Sequence, residues 1–211
     1  DDEHTVTGGA EAGLLAVLGD GAYTGGMVHE ALNNCDPKLK LIIILNENGM
    51  AIAGNKGNFA ECFSRITSPQ ERNQRHYFEC LGISYIGPVD GNDYQAVTEA
   101  LKQARDSGRC TLLHVRTVKG KGFAPAESSP SEFHSIRNSV EDGKTFHNIF
   151  VDRLIEKAEK DRKIVAVTAA MGAGTGLELF GKRFPNRYFD VGIAEEHAVS
   201  MTIAGPVRSR R

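Results

Sequence analysis

The chain has 211 residues, of which 40% are hydrophobic and 25% charged, and a formal net charge of −2. This is the balance of a soluble globular protein of one large or two small domains. It excludes the basic face of a nucleic-acid binder, because the only basic cluster is the terminal Arg208-Ser209-Arg210-Arg211. The longest apolar run, residues 39–45, is broken by Lys40 and falls far short of the ~20 residues that cross a bilayer. No charged-then-apolar leader pattern precedes it, so neither a nucleic acid nor a membrane is expected as a partner. Cys35, Cys62, Cys80 and Cys110 are widely spaced, without a Cys-x-x-Cys pair. Reduced thiols in a cytosol-like compartment are therefore expected, rather than zinc or redox motifs.

In chain order, short apolar runs at 14–18, 39–45, 84–86, 111–115, 164–168 and 188–191 read as strands. They lack polar alternation, as strands covered on both faces of a parallel sheet do. Between them lie amphipathic stretches. Residues 93–106 put Ala96, Val97, Ala100, Leu101 and Ala104 on one helical face, and residues 146–160 do the same with Phe150, Leu154 and Ala158. Alternation of this kind predicts an α/β fold, a mostly parallel sheet flanked by helices. Residues 124–144 are rich in Ser, Pro and charge and show no apolar period, so they read as a linker. The expected organisation is a first domain over 1–123, the linker over 124–144, and the beginning of a second domain over 145–211.

The chemistry concentrates at strand ends. Gly19-Asp20-Gly21-Ala22 follows the first strand and leads into a helix-like stretch, and Asn46-Glu47-Asn48-Gly49-Met50 follows the second. Loops at the carboxyl ends of parallel strands are where α/β sheets take ligands. Glycines let the backbone approach a phosphate, and a following helix start offers unpaired N–H groups. Asp20 supplies a hard oxygen of the kind that Mg2+ binds together with phosphates. On its own, Gly-Asp-Gly also reads as a tight turn. Followed by a helix, an aliphatic strand and an Asn-x-Asn, it resembles a thiamine-diphosphate signature.

Taken together, GDGAYTGGM (19–27), HEALN (29–33), LNEN (45–48), YIGPVDG (85–91), KGKGFAPAE (119–127) and FDVGIAEEHAV (189–199) resemble the 1-deoxy-D-xylulose 5-phosphate synthases. These are thiamine-diphosphate enzymes of the transketolase-like group. The resemblance implies a transferase with cofactors thiamine diphosphate and Mg2+. The implied reaction joins pyruvate to glyceraldehyde 3-phosphate with loss of carbon dioxide, a step that feeds isoprenoid and thiamine synthesis. It implies magnesium ligands Asp20, Asn48 and the carbonyl of Met50, and diphosphate contacts from Gly21, Ala22 and Asn48. Phe123 stands where Tyr is common beside the cofactor. His134 matches a histidine facing the substrate, although by its own surroundings it reads equally as a surface residue of the linker. Acids at a helix start are commonly dipole partners. The resemblance instead makes Glu195 the carboxylate that hydrogen-bonds the cofactor's aminopyrimidine and assists removal of the thiazolium C2 proton. Glu196 stands where Gln is usual.

The sequence also departs from the family pattern. A Gly-His-Ser/Thr segment that normally precedes the Gly-Asp-Gly loop has at most a remnant in Thr7-Gly8-Gly9-Ala10. The segment after the Asn-x-Asn loop is short. The second domain stops soon after its glutamate. Three readings stand at this level: an enzyme, an inert cofactor-binding fragment, and a split transketolase-type subunit completed by another chain. The family implies a homodimer in the cytoplasm, or in a plastid stroma if the source is a plant or alga.

Overall fold

A computed structural model describes residues 13–51, 54–65, 76–134 and 145–204; the possible remnant at 7–10 lies outside them. The first four strands, β1 (Leu14–Gly19), β2 (Leu41–Glu47), β3 (Ser84–Asp90) and β4 (Thr111–Arg116), form one parallel sheet in the order β1-β2-β4-β3. The helices of this part are α1 (Asp20–Tyr23), α2 (Gly26–Asn33), α3 (Asn58–Arg65), α4 (His76–Cys80), α5 (Tyr94–Asp106) and α6 (Ala124–Ser128). Among the described residues no helix is long and apolar enough to cross a membrane.

Register explains how the sheet is covered. Alternate residues of a strand face opposite sides. Ile43 and Leu45 on β2 and Leu112 on β4 pack on one side with Tyr23, Leu32 and Phe78. Ile42 and Ile44 on β2, with Leu113 and Val115 on β4, pack on the other side with Val97, Ala100 and Leu101 of α5. The α5 face is the one its period predicts. Its start is fixed by Asp93, whose Oδ1 accepts from the N–H groups of Gln95 at 2.9 Å and Ala96 at 3.2 Å, which satisfies two of the free donors of a helix N-terminus.

Two expectations need correction. β1 was expected to be covered on both faces, yet Leu14, Leu15 and Val17 are 55%, 59% and 65% exposed. The strand is an edge, with β2 as its only sheet neighbour among the described residues. Phe150 was placed on the buried face of the later helix, but it is 60% exposed.

In the later part, α7 (Phe146–Lys160) buries Val151 and Ala158, with Leu154 and Ile155 beside them, against α8 (Leu177–Arg183) and its Phe180. The strands β5 (Ala166–Thr168) and β6 (Tyr188–Asp190) pair in parallel, and α9 (Glu195–Ala204) follows. Arg187 closes this small core. Its guanidinium lies 3.9 Å over the Phe184 ring and donates to the carbonyls of Ala158, Asp161 and Ile164. The segment expected as a linker opens with α6, whose Ala126 is buried; residues 135–144 lie outside the described ones.

Candidate functional site

β1 ends at Gly19, paired with Asn46 of β2, so the two loops leave the sheet side by side. Asp20 is 3% exposed. Its Oδ1 accepts from its neighbour Gly21 N–H at 2.8 Å, while Oδ2 accepts from the N–H groups of Asn48 at 2.9 Å and Gly49 at 2.7 Å. The Asn48 Oδ1 accepts from Met50 N–H at 3.1 Å. The structure thus brings Gly21, Asn48 and Gly49 onto the Asp20 carboxylate, with Met50 held by the Asn48 side chain. Ala22, on the same turn, is exposed.

The loop before α9 seats on this turn. Thr24 Oγ1 donates to the Ile193 carbonyl at 3.3 Å, and Lys56 Nζ donates to the Asp190 carbonyl at 2.9 Å. Asp190 Oδ1 in turn accepts from the N–H groups of Ala170 and Gly192, both at 3.0 Å. A methyl group on Gly21 would stand 2.7 Å from Ala51 Cβ and 3.2 Å from Ile193 Cδ1. The remaining crevice, between residues including Thr24, Asn55 and Ile193, holds only about 10 Å³. Glu195 opens α9 two residues beyond Ile193 and is exposed, as is Glu196.

Phe123 caps α6, is 55% exposed and meets Phe133 edge-on, with ring centroids 5.6 Å apart. His134 is exposed beside Phe133. No hydrogen bond or ring contact among the described residues joins Phe123 or His134 to Asp20, Asn48 or Glu195.

Sequence reasoning missed three features. Lys119 donates to the Ala51 carbonyl; burial pulls its ammonium below the usual lysine range, opposed by the nearby Asp20 carboxylate. The signal was present, since Lys119 opens a motif already singled out. Asn55 Oδ1, beside Gly21, is a buried acceptor without a hydrogen-bond partner among the described residues. The third is a row, Tyr85–His114–Glu47–Arg116, of which His114 is fully buried and the others half-buried, beside a cavity of about 590 Å³ at the ends of β2, β3 and β4. Glu47, Asn48, Asn92 and Arg116 are among the residues lining it.

These donors suit a hard cation and an anion together. A carboxylate has about four lone-pair directions, and three are taken on Asp20. Asn48 Oδ1 keeps one, Asn55 Oδ1 has no partner among the described residues, and Lys119 adds positive charge.

Comparison with known proteins identifies the family. The family model described as 1-deoxy-D-xylulose-5-phosphate synthase matches residues 4–77 and 70–117, and the transketolase pyrimidine-binding domain matches 142–208. The fold is therefore an α/β thiamine-diphosphate-binding fold. The chain belongs to the 1-deoxy-D-xylulose-5-phosphate synthase family. It is 41% identical to the synthase of Aquifex aeolicus over 88% of this chain and 36% of the relative. It is 37% identical to that of Desulforudis audaxviator over 96% of this chain and 39% of the relative. It thus spans a little over a third of the length of these relatives. A transketolase structure from Campylobacter jejuni aligns with 88% of this chain and 39% of its own at 16% identity and a TM-score of 0.39, a likeness too slight to argue from.

Proposed function

We propose that this chain is the cofactor-holding part of an enzyme that joins pyruvate to glyceraldehyde 3-phosphate, releasing carbon dioxide and forming 1-deoxy-D-xylulose 5-phosphate. The observation that supports it is the buried Asp20 carboxylate pinned across two strand ends to Asn48 and Gly49, with the loop that leads to Glu195 seated on the same turn. In this reading Asp20, Asn48 and the Met50 carbonyl hold Mg2+. Gly21, Ala22, Asn48 and the Lys119 ammonium face the diphosphate. Bound thiamine diphosphate supplies the carbon nucleophile and the electron sink for decarboxylation. Glu195 accepts a hydrogen bond from the aminopyrimidine and so holds the proton that this ring exchanges. Phe123 offers an apolar ring that excludes water, and His134 orients the substrate carboxylate or carbonyl.

The closed crevice between Gly21 and Ile193 means that a cofactor entering there must part the Thr24–Ile193 and Lys56–Asp190 contacts. That closure favours a second reading, a relative that keeps the fold without turning over. Release of carbon dioxide from carboxyl-labelled pyruvate, with cofactor, Mg2+ and glyceraldehyde 3-phosphate present, separates the two. Turnover by the chain and its loss in Glu195→Gln supports the enzyme; no turnover despite cofactor binding supports the second reading.

A further inference from the structure

We infer that Glu47 is a positioning residue for the diphosphate loop, acting through the backbone of Asn48, and that His114 and Tyr85 hold Glu47 in place. This rests on the cofactor reading above.

The register puts the participants on one face of the sheet. Leu45 pairs with His114, Glu47 with Arg116, and Tyr85 with Leu112. Along that face the fully buried Leu45 and Leu112 give way to a polar end. His114 is itself fully buried, and both its ring nitrogens are used: Nε2 meets Glu47 Oε2 at 2.8 Å and Nδ1 meets the Tyr85 hydroxyl at 2.6 Å. A carboxylate only accepts, so Nε2–H donates to Glu47, and Nδ1 pairs with the Tyr85 hydroxyl. Arg116 Nε donates to the same Oε2 at 2.6 Å. The Glu47 carbonyl accepts from Thr117 N–H at 2.9 Å.

That last bond carries the link to the site. The Glu47 carbonyl and the Asn48 N–H belong to one peptide unit, and in a planar trans peptide they point in opposite directions. A carbonyl held toward Thr117 therefore aims the Asn48 N–H away from β4, where it meets Asp20 Oδ2. The loop leaves the sheet at this residue. The wall beside Glu47 and Arg116 faces the cavity of about 590 Å³, so hydrogen bonds rather than packing set its orientation. Outer residues that orient metal ligands behave in this way, and their loss typically weakens the metal about 10- to 100-fold.

The test uses Glu47→Gln and Tyr85→Phe in the full chain. Amide hydrogen exchange is followed by NMR without cofactor, and the Mg2+ requirement for thiamine diphosphate binding is measured by calorimetry. A glutamine removes the negative charge from both bonds and puts an NH2 donor where a second acceptor oxygen stood. In Glu47→Gln the Asn48 and Gly49 amides should exchange about tenfold faster while those of Ile43 and Leu113 hold, and half-saturating Mg2+ should rise about tenfold or more. Tyr85→Phe should shift both in the same direction by less, and it decides the matter if Glu47→Gln does not fold. A purely structural row would speed the whole sheet alike, or lower stability with the Mg2+ requirement unchanged; either result overturns the assignment while the cofactor reading stands. Absence of binding by the unsubstituted chain would overturn both.

Discussion

Asp20 and Asn48, 28 positions apart in the chain, are joined by a 2.9 Å hydrogen bond from the Asn48 N–H to the Asp20 carboxylate. The same oxygen accepts from Gly49, so one buried side chain closes the gap between the ends of β1 and β2. Asp20→Ala would leave these part-buried donors without their acceptor, and losing such a hydrogen bond costs about 1 kcal/mol. Urea unfolding should register a loss of at least that size; an unchanged midpoint would show that the carboxylate does not hold the loops.

Gly21 is the point where the later part of the chain lies against this turn. An added methyl group would stand 2.7 Å from Ala51 Cβ and 3.2 Å from Ile193 Cδ1. Gly21→Ala should destabilise by about 1–3 kcal/mol, as overpacking does. It should also raise protease cleavage in residues 191–194. Stability and cleavage equal to those of the unsubstituted chain would mean that the contact is absent in solution.

Acid should expose the contribution of Glu47. Burial alone would raise its carboxyl, but the hydrogen bonds from His114 and Arg116, together with their charges, prevail and hold it below the usual glutamate value. A carboxyl depressed on folding stabilises the native state above its unfolded value of about 4.3. It loses that contribution as pH falls through the lower folded value. Stability should therefore fall as pH drops below about 4.3, and Glu47→Gln should flatten this part of the curve. An identical acid limb in the variant would contradict the network.

Cysteine reactivity should be graded by burial. Cys110 is buried, and desolvation, reinforced by Cys35 with its sulfur 3.5 Å away, pushes its thiol up to about 12. Thiolate is the reactive form. At pH 8 iodoacetamide should label exposed Cys80 first and Cys110 only on unfolding. Early labelling of Cys110 in the native chain would show that this end of the sheet is open.

What was legible in the sequence follows from which signals are local. The runs that became β1 to β6 and the alternation with helices were local, so the α/β class and the pairing of the Asp20 and Asn48 loops could be derived. Exposure was not. Leu14, Leu15 and Val17 read as a covered strand, because apolar pattern alone cannot tell an edge from a centre. Phe150 fits the same period as Leu154 and Ala158, but the side of α7 that meets α8 carries Val151 instead. The Tyr85–His114–Glu47 row was invisible for another reason. A histidine inside the run Thr-Leu-Leu-His-Val announces a buried polar group that needs a partner, but only the strand order β2-β4-β3 says which residues stand next to it. Asn55 was hidden likewise, since its closeness to Gly21 goes with the Asn55 N–H reaching back to the Gly49 carbonyl at 3.0 Å.

In the proposed reading the Asp20–Asn48 turn is a magnesium–diphosphate site. Its most direct test is calorimetric titration of thiamine diphosphate into the chain with and without Mg2+, beside Asp20→Ala and Asn48→Ala. Asn48→Ala removes only the side chain that bonds Met50 N–H, and so serves as the milder control. The account predicts binding that requires Mg2+, is abolished in Asp20→Ala and is weakened at least about tenfold in Asn48→Ala. Binding that ignores Mg2+ and survives both substitutions, or no binding at millimolar cofactor by a folded chain, would contradict it.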